Sequence, residues 1–130
     1  MIKIHLVPIA LALLLAVFLL AGWGNYALLK KDAETLSDTA KKIQVSVQTG
    51  NWEEAEGHLT KTLKTWEKSK KYWPMLVNHR EMDQIDEIIN RLKSYLENQD
   101  SSMSMAELYN LIFYIKHIPE KESLNLRNIF

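Results

Sequence analysis

Residues 6–23 read Leu-Val-Pro-Ile-Ala-Leu-Ala-Leu-Leu-Leu-Ala-Val-Phe-Leu-Leu-Ala-Gly-Trp, and every one of them is apolar, proline or glycine. As a helix this stretch reaches roughly 27 Å at about 1.5 Å per residue, close to the roughly 30 Å hydrocarbon thickness of a bilayer. A buried core helix of such composition needs protein on every side, which a chain of 130 residues does not readily supply. Cleavage as a signal peptide needs small residues at alternating positions after the apolar run, and Ala21-Gly22 followed by Trp23 suits it poorly. Leu20-Ala21-Gly22 begins like a bacterial lipobox, but Trp23 stands where the lipid-bearing cysteine is required, which excludes a lipoprotein. Trp23 and Tyr26 instead fall where an interfacial aromatic belt lies, with Lys30 and Lys31 behind them. The expectation is an uncleaved single span. Residues 1–30 then form a signal anchor, with Pro8 tolerated in its first turn, and residues 31–130 form a helical domain.

Orientation is less tightly constrained. Lys3 and the terminal amine favour an inside N-terminus, while Lys30, Lys31, Lys41 and Lys42 on the other flank oppose it, so charge alone leaves the side open. About 100 residues remain for the domain, enough for one modest core. Sixteen Lys plus Arg balance sixteen Asp plus Glu, which disfavours binding to nucleic acid. The lack of cysteine removes disulfides, thiolate catalysis and Cys-based metal sites without choosing a compartment.

Beyond the span, Leu29, Ala33, Leu36, Ala40, Ile43 and Val47 recur at spacings of four and three, which lays one apolar seam along a helix. Thr49-Gly50 ends it with a residue suited to the left-handed C-terminal conformation, and Asn51 with Glu54 forms a capping-box-like start for the next. On that second helix Trp52, Ala55, Leu59, Leu63 and Trp66 share a face with Trp73 nearby, and large rings at helical spacing indicate packing before a ligand cage. Pro74 interrupts the pattern. From Met75 onward Met82, Ile85, Ile89, Leu92 and Leu96 mark a third helix, with His79 beside its seam and Asn78 near the middle of its apolar stripe, where the amide either is buried and sets helix register or is left wet by fraying after Pro74. After the Asn98–Ser102 loop, Ser104 and Glu107 suggest the start of a fourth, with Pro119 as its stop. The apolar end of the chain, Leu124, Leu126, Ile129 and Phe130, should dock on the bundle. Trp52, Leu59, Leu63, Trp66, Trp73, His79, Ile85, Ile89 and Leu92 are the expected core of an all-α, antiparallel bundle of about four helices.

Two surfaces could bind partners. Tyr109 and Phe113 lie four apart, to one side of the face formed by Leu108, Leu111, Ile112 and Ile115, so the fourth helix is either central or turned partly toward a partner. Lys61, Lys64, Lys68 and Lys71 form a stripe opposite the apolar face of the second helix; six Lys or Arg from His58 to Arg80 face only Glu67. From Glu81 to Glu107 seven acids outnumber Arg91 and Lys93, so the two charged faces either compensate each other or the stripe meets anionic lipid, an envelope polymer or an acidic protein. His79, Glu81 and Asp83 are the densest set of metal-capable side chains, but residues two apart on a helix point about 200° away from each other. No catalytic residue, cofactor-binding residue or metal ligand is expected, and no phosphate loop, nucleophile elbow or HExxH is present.

Gly50-Asn51-Trp52-Glu53-Glu54-Ala55 is similar to the turn inside a tetratricopeptide repeat, yet no second copy follows at that period. The N-terminal span, Trp52 and Trp66, Trp73 and His79, and the closing Asn128-Ile129-Phe130 together resemble an uncharacterised family of small bacterial membrane proteins, domain of unknown function 4363. Pro74 and Asn78 stand apart from that pattern. The resemblance implies a single-span protein of the cell membrane with its helical domain outside the cytoplasm, working beside a larger integral membrane protein, and it implies no reaction. The expected role is a membrane-anchored accessory or scaffold protein, not an enzyme, that contacts another envelope protein. The alternatives are a module that senses a ligand in its aromatic core or one that binds anionic lipid or polymer. Oligomeric state does not follow from the pattern.

Overall fold

The apolar stretch and the first seam belong to one unbroken helix, α1 (Ile2–Gln48). The computed structural model describes the backbone of residues 2–129 and the side chains of residues 5–122. After α1 come α2 (Trp52–Ser69), a short 3-10 turn (Trp73–Met75), α3 (His79–Glu97) and α4 (Ser101–Ile129). No strand occurs among the described residues. Among the described residues the fold is therefore all-α with four α-helices, and the first is long and apolar enough to cross a membrane. Pro8 lies within α1 rather than in its first turn, where its ring removes one backbone bond.

α1 changes character midway. Its apolar side chains from Leu6 to Leu20 are mostly exposed, whereas Leu29, Ala33, Leu36, Ala40, Ile43 and Val47 are buried against the rest of the bundle. The four-three spacing holds these six on one side because 3.6 residues make a turn. α1 packs against α2 on one flank and α4 on the other, and α3 closes the ring by packing on α4 and, less extensively, on α2.

Each turn in the bundle has a local cause. Gly50 takes φ +72, and the amides of Gly50 and Asn51 donate to the carbonyls of Val47 and Ser46, which terminates α1. Asn51 then caps α2: its Oδ1 accepts from the Glu54 amide at 3.3 Å while its Nδ2 donates to Glu54 Oε2 at 2.8 Å. Between α2 and α3, Trp73 drops into the core and meets Trp66 edge to face, with ring centroids 5.2 Å apart. Burying rings of this size contributes several kcal/mol each, at about 25 cal/mol per Å2 and roughly 150–250 Å2 per ring. Leu59, Ile85, Ile89 and Leu92 are buried with them, while Trp52 and Leu63 pack half-buried at the edge of the core.

The structure corrects four local expectations. His79 is exposed, since it is the first residue of α3 and points away from the seam. Asn78 is exposed and caps α3 through a bond from the Arg80 amide to its Oδ1 at 3.0 Å, so the helix starts four residues later than Met75 and no buried amide sets its register. α4 begins at Ser101, not Ser104, because Gln99 turns the chain at φ 54 and Asp100 Oδ1 accepts from the Met103 amide at 3.0 Å. Ser104 is buried, and Glu107 is held by Arg91 across the bundle at 2.8 Å. α4 also continues through Pro119, whose ring is buried beside Ile118. That burial offsets the backbone bond that proline removes from a helix interior. The docking expected for Leu124, Leu126, Ile129 and Phe130 falls outside the described side chains.

Candidate functional site

α4 answers both readings of its sequence. Leu108, Leu111, Ile115 and Ile118 are buried, which makes the helix a wall of the core shared by α1 and α3. Its other side carries Tyr109 and Phe113, 63% and 58% exposed. Phe113 stacks on His117 with centroids 5.0 Å apart, and Tyr114 meets its edge at 5.7 Å. Four-residue spacing thus builds a row of three rings along the outer face, pre-arranged with few free rotors.

The lysine stripe is also exposed. Lys61, Lys64, Lys68 and Lys71 all reach solvent, and none forms an ion pair among the described residues. Lys70, off the stripe, is the cation that meets acids: its Nζ lies 2.8 Å from Glu67 and 3.3 Å from Asp86. The bond to Glu67, with Asp86 adding to it against the opposing effect of burial, raises the Lys70 pKa above its ordinary 10.5. Asp86 also accepts from the buried Trp66 indole at 2.7 Å, so one carboxylate ties the aromatic core to a surface cation. Glu81 pairs with Lys121 at 2.8 Å, and Glu87 lies 3.8 Å from Arg91. These acids of α3 are therefore occupied by Lys70, Arg91 and Lys121, and the stripe on α2 stays uncompensated.

A polar cluster not anticipated from the sequence fastens the lower bundle. Asp32 on α1 accepts bonds from Ser69 Oγ at 2.8 Å and from the Tyr72 hydroxyl. These residues are 37 and 40 positions from Asp32, and no local spacing signals such a meeting. Between α1 and α4, Tyr26, Lys30, Ser37, Lys41, Lys116 and Pro119 line an open groove of about 620 Å3. The Ser37 hydroxyl, which lines it, is buried without a hydrogen-bond partner among the described residues. This groove does not include Trp66 or Trp73, which pack edge to face in the core. Among the described residues no three His, Asp or Glu side chains gather closely enough to hold a metal ion.

A family model described as domain of unknown function (DUF4363) matches residues 23–129. The match starts at Trp23, so it takes in the bundle and leaves out nearly all of the apolar stretch. No curated protein and no solved structure matches the chain.

Proposed function

The chain belongs to the DUF4363 family, and on that footing we propose that it is a single-span membrane protein whose bundle serves as an accessory or scaffold for another envelope protein outside the cytoplasm. The row Tyr109, Phe113 and His117 carries this reading: large rings stand in solvent on a helix whose opposite side is fully packed. Aromatic anchors of low rotamer entropy are what protein interfaces concentrate at their centres. The unbroken α1 supports it further, because a bundle joined to a span without a flexible linker holds its outer face at a fixed height and angle. Photo-crosslinking from position 113 in intact membranes tests the assignment. One discrete adduct is expected, weakened at least about tenfold by Tyr109→Ala, as loss of an interface anchor implies. Labelling that is diffuse, or indifferent to Tyr109→Ala, overturns it.

A second reading, attraction of an anionic lipid or envelope polymer, draws on the unpaired stripe Lys61, Lys64, Lys68 and Lys71. Salt separates the two, since exposed charges are screened within about 8 Å at physiological ionic strength while packed rings are not.

A further inference from the structure

We propose that the turn between α2 and α3 is a second membrane contact, in which Met75 and its flanking lysines seat on the headgroup layer of an anionic bilayer. This rests on the reading of α1 as a span. Because α1 is one continuous helix, the height of each of its residues above the bilayer follows from the helical rise. From Trp23 to Leu29, the first buried residue of the bundle, the rise is roughly 9 Å, and to Asp32 roughly 13 Å. The headgroup layer itself is roughly 5–7 Å deep on each side of the hydrocarbon. The lower end of the bundle therefore hangs within side-chain reach of the headgroups.

The turn is tied to α1 at that level. α2 runs back antiparallel to α1, and Ser69 and Tyr72, at its end, both donate to Asp32. Past this tie the chain turns at the end of the bundle nearest the bilayer. Trp73 and Val77 point into the core, which leaves the two residues after Trp73 outside: Pro74 is exposed, and Met75 is 77% exposed. A single exposed apolar side chain is ordinary on a soluble surface. Here it stands at the membrane-facing end, between charges suited to anionic lipid. Lys68 and Lys71, near it in sequence, and Lys31 on α1 are exposed and form no ion pair among the described residues, while Glu67, Glu81 and Asp32 are bonded to Lys70, Lys121 and the Ser69 and Tyr72 hydroxyls. Glu34, Asp83 and Glu120 are exposed acids toward this end, on α1, in the second turn of α3 and on α4, and Lys30 and Lys116 are exposed in the same groove as Glu120. A methionine among lysines joins apolar insertion to headgroup attraction, the pairing that holds peripheral segments to anionic membranes. Two points of attachment, the span and this turn, would stop the bundle from swinging about α1 and fix the direction in which Tyr109 and Phe113 face.

The natural chain has no cysteine, so single-cysteine variants of the full protein report position directly. Met75→Cys and, at the far end of the bundle, Glu97→Cys would each carry an environment-sensitive fluorophore in vesicles of phosphatidylcholine with phosphatidylglycerol, with headgroup spin-labelled lipid as quencher. The label at position 75 should be quenched at least about fivefold more than that at 97, and Lys68→Glu with Lys71→Glu should remove most of the difference. Equal quenching at the two positions, in protein that floats with the vesicles, overturns the proposal alone. Protein that does not float overturns the span reading with it.

Discussion

From Leu6 to Leu20 α1 turns apolar side chains outward on every side, and from Leu29 to Val47 it turns them to one side only. The backbone is the same uninterrupted helix in both halves. The difference lies in the angular spread of hydrophobicity, and that alone decides whether protein or lipid must cover the surface. In the second half the covering is supplied by α2 and α4. In the first half nothing in the described chain covers it, and water would be a poor solvent for a helix apolar all round. On the proposed reading of the first half as a span, continuity between the halves makes it a stalk, and the bundle takes its orientation from it.

Making the same change in both halves puts this contrast under the heaviest strain. Leu36→Ala opens a cavity in a fully buried seam and should lower the bundle's unfolding free energy by about 2–5 kcal/mol. Leu14→Ala should change it by less than about 0.5 kcal/mol, both read from urea melts in mild detergent. Equal losses would mean that the two halves share one environment. A charge probes the first half by itself: Leu14→Arg should disfavour membrane insertion by about 3–4 kcal/mol, seen as a soluble fraction after fractionation, with the melt of the bundle unmoved. A more modest effect marks where the second half ends. Gly50→Ala meets no atom within 4 Å, so its cost comes only from φ +72 and should be about 1 kcal/mol in the same melts.

Lys70 should matter least. Its pKa is raised by Glu67 and Asp86, so its contribution is fully present below the ordinary 10.5 and is lost as pH climbs through the raised folded value. Lys70→Met should therefore destabilise by under about 1 kcal/mol at neutral pH, discounted for partial exposure, and the gap from the natural chain should close in strong alkali. A gap that stays constant as pH rises would show that Lys70 acts through packing rather than charge.

Legibility in the sequence followed the range of the interaction. The apolar stretch, the six-residue seam of α1, the Gly50-Asn51 turn and the Trp66 face of α2 are local patterns, and each is where the spacing puts it. The misplaced positions involve competition that spacing does not reveal. Ser104 has a good capping sequence, but Asp100 caps first and Arg91, from another helix, takes Glu107. Pro119 stops an isolated helix, yet here its ring is buried within a helix that continues. His79 neighbours the seam in number but sits in the first turn of α3, where its side chain faces out. Of the candidate surfaces, the exposure of Lys61, Lys64, Lys68 and Lys71 was legible from charge, and the Tyr109–Phe113 spacing was visible without its direction.

That the chain is helical, that its first stretch suits lipid, and which residues line the seam of α1 could all be read from the order of the amino acids, because all three depend on side chains within a turn or two of one another. Three-dimensional packing was needed to bring Ser69 and Tyr72 to Asp32, to bind both Trp66 and Lys70 to Asp86, and to set the α2–α3 turn at the same end as the apolar stretch. Those outcomes depend on how four helices are stacked and in which direction each runs, and a one-dimensional pattern of hydrophobicity carries no record of which distant polar groups are brought within about 3 Å.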